Sequence, residues 1–150
     1  MTSPPSPFAC VLDARALLGE CPVWSDGEQV LYWVDIDAPA LNRFDPASGR
    51  NTAMPMPEAI GCFALRAGGG FVVALRDGFW FAAAHGRLER KVAHPPYDPA
   101  HHRLHDGRRD PQGRVLPRAM KARPHAQSAA PGRPHPDPPA TPLPRATMAR

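Results

Sequence analysis

The chain has 150 residues, with 18 Lys and Arg against 14 Asp and Glu, for a formal net charge of +4. That length suits one domain, and no apolar run approaches the roughly 18 residues that a membrane-spanning helix needs. The charge is uneven: residues 1–114 hold 12 bases and 13 acids, whereas residues 115–150 hold 6 bases and 1 acid, so the basic character belongs to the C-terminal part.

In chain order, residues 1–7 read as a flexible leader, because they lack the basic n-region and apolar stretch of a signal peptide. Cys10, Cys21 and Cys62 are an odd number without C-x-x-C spacing, which argues against a disulfide framework or a zinc knuckle. Reduced thiols in a cytoplasmic protein are the simplest expectation.

The stretch 8–114 predicts an all-β fold. Val30 to Ile36 is rich in β-branched and aromatic residues and is bounded by Asp26-Gly27 and Pro39. Two further apolar runs, Phe71–Leu75 and Phe79–Phe81, flank Asp77-Gly78, a hairpin signal because glycine accepts positive φ. Turns are also expected at Asp45–Gly49 and His85-Gly86, and no capped amphipathic helix is visible.

A motif recurs along this stretch. Trp24-Ser-Asp-Gly-Glu leads into Val30, Leu65-Arg-Ala-Gly-Gly into Phe71, and Asp110-Pro-Gln-Gly-Arg into Val115. The turn glycines Gly27, Gly69 and Gly113 thus fall at roughly the 40–45-residue period of propeller blades. Evenly spaced ordinary hairpins are the plainer alternative.

After Leu116 the pattern changes, and Pro117-Arg-Ala-Met-Lys predicts that the β pattern ends, since proline removes a ladder donor. All 11 aromatic residues lie between Phe8 and Tyr97. Residues 115–150 hold 9 prolines and one acid, Asp137, and read as a disordered basic tail. Without aromatic residues or a dense Lys/Arg run, that tail is not expected to bind nucleic acid. Its Pro, Arg and Ala bias is what an out-of-frame reading of GC-rich coding sequence yields, although a genuine linker would look similar.

Leu18-Gly-Glu-Cys-Pro-Val-Trp24, Leu31-Tyr-Trp-Val-Asp-Ile36 and Leu41-Asn-Arg-Phe-Asp-Pro-Ala-Ser-Gly49 together resemble the opening blade of the gluconolactonase/regucalcin family, which also takes in the senescence marker protein and luciferin-regenerating enzymes. The likeness continues through Ile60–Leu65, Gly68–Leu75 and Asp77-Gly78 to Arg103–Gly107 and Asp110–Arg114. It implies the N-terminal part of a six-bladed β-propeller, about two to two and a half blades of roughly 45 residues each. It also implies a divalent cation (Ca, Zn, Mn or Mg) in the central channel and hydrolysis of sugar lactones.

Residue by residue, the resemblance makes Glu20 a metal ligand, an oxygen donor suited to a hard cation. Arg103 becomes a substrate contact, and His105 stands where the family's Arg-x-Asn-Asp-Gly motif has asparagine. Asp106 and Gly107 keep that motif's turn, and Asp106 joins the substrate-binding set. Cys21 replaces a glycine, which would strain the backbone were φ positive there. The general-base Asp and a second Asn of the family have no counterpart here, so no catalytic residue is assigned. His101, His102 and His105 lack the Glu of an H-E-x-x-H helix and read as solvent-exposed.

The expectation is therefore a metal-dependent sugar-lactone hydrolase of which this chain holds the first part, inactive by itself. The competing expectation is a non-enzymatic binding or assembly module completed by a partner chain. In either case exposed sheet edges favour self-association.

Overall fold

The computed structural model describes residues 8–110 and 112–121; the expected leader and the tail beyond Lys121 lie outside the described residues. Among the described residues, ten strands form three antiparallel sheets. The first contains β1 (Gly19–Ser25), β2 (Val30–Asp35), β3 (Ala40–Asp45) and β4 (Arg50–Pro55) in sequence order. The second contains β5 (Cys62–Leu65), β6 (Phe71–Leu75), β7 (Gly78–Ala82) and β8 (Leu88–Ala93), again in sequence order. The third is a hairpin of β9 (His102–Arg109) and β10 (Val115–Lys121). No helix appears among the described residues.

The sequence explains the layering within each meander. Phe71–Leu75 is apolar throughout and is buried at every position, as an inner strand covered on both faces must be. In β2 the buried Val30, Tyr32 and Val34 alternate with half-buried Leu31 and Trp33. The last strands, β4 and β8, carry Arg50, Glu89, Arg90 and Lys91, charges that blunt an outward edge. Gly49 at φ +69° and Gly78 at φ +137° close two of the expected turns.

The core lies between the first two sheets. Tyr32, Phe63 and Phe71 meet edge-to-face with centroid separations of 5.2–6.4 Å. Around them pack Val34, Leu41, Ile60, Cys62 and Val73. Leu104 brings β9 onto the same cluster, buried to 2% exposure.

The leading strands β1, β5 and β9 touch one another, so the sheets gather along one axis at their first strands. Two glycines make this approach close. A Cβ at Gly61 would overlap the Leu104 carbonyl, and one at Gly107 would come within 2.6 Å of Cys62 Sγ.

One expectation is corrected here. The β pattern does not end at Pro117; β10 continues to Lys121 and pairs with β9 along its length. Pro117 lies opposite Gly107 at the register shift, on a strand paired along one side only, and both are positions at which a sheet accepts proline.

Candidate functional site at the leading strands

Glu20 owes its position to the segment that enters β1. The buried carboxylate of Asp35, at the end of β2, accepts the N–H groups of Leu17 (2.9 Å), Leu18 (3.0 Å) and Ala38 (3.1 Å). Burial alone would raise the Asp35 pKa, but these donors and the Asp37 N–H outweigh it and hold the carboxyl below its ordinary value. The clamp anchors the chain immediately before Glu20.

Strand β1 then leaves register with β2 between Glu20 and Val23. Cys21 occupies this irregularity at φ +51°, a conformation that L-residues disfavour. Its side chain is buried, and the thiol donates to the Gly61 carbonyl at 3.6 Å while lying 3.9 Å from Asp106 Oδ1. Burial, then the Asp106 and Glu20 charges, push the Cys21 thiol up to about 11. Cys62 is pushed up to about 12 by burial first, then by Cys21 and Asp106. Both are inert thiols rather than nucleophiles.

A second irregularity faces the first. Strand β9 skips register at Asp106, which adopts φ +41° and folds its carboxylate back onto the Gly107 N–H at 2.8 Å. Two strained residues on different sheets therefore touch, and the chains flanking them are re-aimed. Such paired outliers are commonest where a site is being shaped.

The result brings Glu20 and His105 together. His105 Nδ1 lies 3.9 Å from Glu20 Oε2, with 32% and 31% of the two side chains exposed. That Nδ1 is buried and has no hydrogen-bond partner. Arg103, two residues away and so on the same side of the strand, has a buried Nε that also lacks a partner. Asp106 does not join this group, since its carboxylate turns to Cys21 and Gly107.

The histidines differ from expectation. His101 is exposed, but His102 and His105 are half-buried, His102 against the Tyr97 ring and His105 beside Glu20. His102 Nδ1 and Tyr97 Oη are further buried polar atoms without a partner, and their rings lie 5.7 Å apart. Burial pushes the Tyr97 hydroxyl up to about 12, with Cys62 and Glu58 adding and Arg76 opposing. Tyr97 and His102 gave no sequence signal beyond being the last aromatic residue and one of a histidine pair. The other ends of the three leading strands frame a groove of about 330 Å³ lined by Trp24, Phe63, Leu65, Arg108 and Arg109 among others.

No three His, Cys, Asp or Glu side chains converge into a full metal-ligand set among the described residues. Glu20 and His105 nonetheless offer an oxygen and an unpartnered nitrogen side by side, a donor pair that suits a divalent cation.

Antiparallel four-stranded sheets gathered at their first strands, with polar groups clustered where those strands begin, define the β-propeller class. The family model described as the SMP-30/Gluconolactonase/LRE-like region matches residues 18–137, and the chain belongs to this family. It is 51% identical to 6-deoxy-6-sulfogluconolactonase of Pseudomonas putida over 70% of this chain and 36% of that protein. It is 32% identical to regucalcin of Xenopus laevis over 74% of this chain and 37% of that protein. Among solved structures, regucalcin of Agrobacterium tumefaciens, described as a calcium-binding protein, superposes with a TM-score of 0.65 at 28% identity, covering 71% of this chain and 36% of that one. The chain thus spans little more than a third of the length of these relatives. No helix among the described residues is long and apolar enough to cross a membrane.

Proposed function

We propose that this chain supplies the opening part of a divalent-metal-dependent lactonase, which hydrolyses a sugar lactone to the open-chain aldonic acid. The observation that carries this reading is the Glu20–His105 pair, 3.9 Å apart on two leading strands of a gluconolactonase-family propeller. In ring opening, water adds to the lactone carbonyl, the ring C–O bond breaks, and a proton passes to the departing alkoxide.

When bound, the cation would supply Lewis-acid polarisation of the carbonyl. Glu20 holds a negative oxygen at the place where that charge is needed. His105 stands beside it as a polar contact for substrate. Arg103 points a partnerless Nε from the same side of β9 and orients an anionic or hydroxyl oxygen of the sugar. Asp106 acts one step removed, holding the bulge that aims His105. The name of the Pseudomonas putida relative suggests a sulfonate-bearing sugar lactone, and a guanidinium is well matched to a sulfonate. The cytoplasm is the compartment in which the free thiols of Cys21 and Cys62 fit best.

The test is a pH-stat assay of the full chain on glucono-lactone and on its 6-sulfo analogue, with Ca²⁺, Zn²⁺ or Mn²⁺ added. Cation binding that Glu20→Gln weakens, with or without turnover above the spontaneous rate, supports the reading of an opening part. Turnover that is equal in Glu20→Gln and wild type removes the metal role.

A second reading is a binding module completed by another chain, and it is favoured by one observation. Trp24 and Leu116 are 44% and 48% exposed on strands that begin and end the described β structure. Light scattering after size exclusion tests it: a stable assembly supports it, and a strict monomer counts against it.

A further inference from the structure

The first sheet has a second face, turned away from the core, and the strand register assigns its residues. Trp24 lies opposite Leu31, Leu31 opposite Phe44, Trp33 opposite Asn42, and Asn42 opposite Ala53. Side-chain alternation puts all of these on one side. The other side holds Val30, Tyr32 and Val34, which join the core shared with the second sheet. Phe44 is buried without belonging to that cluster. Trp24 is 44% exposed, and Leu31 and Trp33 are half-buried.

The open face of an antiparallel sheet ordinarily alternates to polar and charged residues. None of the residues on this face just named is charged, and Asp35, at its end, is buried and occupied by three backbone donors. The polar groups there pair with one another. Trp33 Nε1 donates to Asn51 Oδ1 at 3.3 Å, and Asn51 Nδ2 donates to Asn42 Oδ1 at 2.9 Å. These bonds survive when the face is covered, and an apolar surface of this kind marks an interface.

Charge selects the occupant. The open side of the hairpin pairs Leu116 with Arg108, Arg118 with His105 and Met120 with Arg103, so it is basic. Two such sides would repel one another, and the hairpin laid on the first sheet would bury guanidinium groups without partners. On the second sheet, the half-buried Phe81 ring lies beneath the Arg66 and Arg90 guanidiniums. The uncharged face of the first sheet, in contrast, meets a copy of itself without burying a charge. We propose that a second copy of this chain docks there, with Trp24, Leu31 and Trp33 of each copy meeting about a two-fold axis. This rests on the second reading above and names its partner. Four strands about 4.8 Å apart and about six residues long, at about 3.4 Å each, give a face of about 400 Å² per copy. Contacts of that size hold transient dimers, so the association is weak and reversible.

Sedimentation velocity of the full 150-residue chain, from about 1 to 300 µM, reads the association. A monomer–dimer equilibrium that added salt does not weaken is expected. Leu31→Lys and Trp24→Lys should each weaken it by about tenfold or more, whereas Leu116→Lys should leave it unchanged. A check on the wild type needs no variant to fold: on dilution the indole resonances of Trp24 and Trp33 should shift while that of Trp80, on the second sheet, stays. An assembly that is lost in Leu116→Lys, dissolved by salt or grows beyond the dimer overturns this inference and leaves the second reading standing. A strict monomer overturns both, whichever segment of the chain covers the face.

Discussion

The first two sheets and the β9–β10 hairpin are built from the same repeating unit but are held in place differently. In the first two sheets, long apolar side chains meet across the sheet interface, with Tyr32, Phe63 and Phe71 at its centre. The hairpin contributes one deeply buried side chain, Leu104, and otherwise presents His102, Arg103, His105, Arg108 and Arg109. It is fixed by close backbone approach at Gly61 and Gly107 and by two positive-φ residues in contact, Cys21 and Asp106. Apolar burial supplies stability over a broad area, whereas close approach supplies position. The side chains of the candidate site sit on the part that is positioned rather than the part that is buried.

This contrast can be broken most severely from the apolar side. Phe71→Ala should cost about 4 kcal/mol, since it opens a cavity among three rings, and urea unfolding of the full chain would show the midpoint fall. A loss well under half of that would mean that the two sheets do not share one core. Asp35→Ala comes next, at about 3 kcal/mol, because three N–H donors around a buried carboxylate lose their acceptor. Here the pH sign is fixed. The folded Asp35 pKa is depressed, so its contribution is complete above the ordinary carboxylate value and is lost as pH falls through the folded pKa. The stability gap between wild type and Asp35→Asn should therefore narrow in acid, and a constant gap would place the effect elsewhere.

On the hairpin side, Gly107→Ala should loosen β9 from β5 with a smaller loss, about 2 kcal/mol, since Cys62 Sγ must shift. Hydrogen exchange should report the opening in β9 and β10 ahead of β6; uniform acceleration would contradict separate modes of attachment. Cys21→Gly should act in the opposite direction and relieve about 1 kcal/mol of backbone strain at φ +51°, less whatever the buried thiol contributes by packing. The smallest effect is chemical. Cys10 is exposed whereas Cys21 and Cys62 are buried with raised pKa values, so a thiol reagent at pH 8 should titrate Cys10 at once and the other two only on unfolding.

Much of the fold was legible in the residues. Phe71–Leu75 declared an inner strand by its apolar run, Asp77-Gly78 a hairpin by its glycine, and the recurring turn glycines a blade-like repeat. Pro117 misled because a proline's acceptability depends on which edge and which bulge it occupies, and that is set by the partner strand. The histidines misled for the same reason: His105 stands beside Glu20 of β1, far away in sequence, and His102 against the Tyr97 ring, contacts that no local pattern announces.

What the sequence determined by itself was therefore local: strand periodicity, turn chemistry, the uneven charge, and motifs marking Glu20, Arg103, His105 and Asp106. Only the tertiary structure decided that Glu20 and His105 stand 3.9 Å apart while Asp106 turns away to Cys21. The physical reason is that alternation along a strand is a short-range property of the backbone, whereas the distance between two leading strands depends on packing between sheets. That packing is in turn decided by groups as small as the missing Cβ of Gly61 and Gly107.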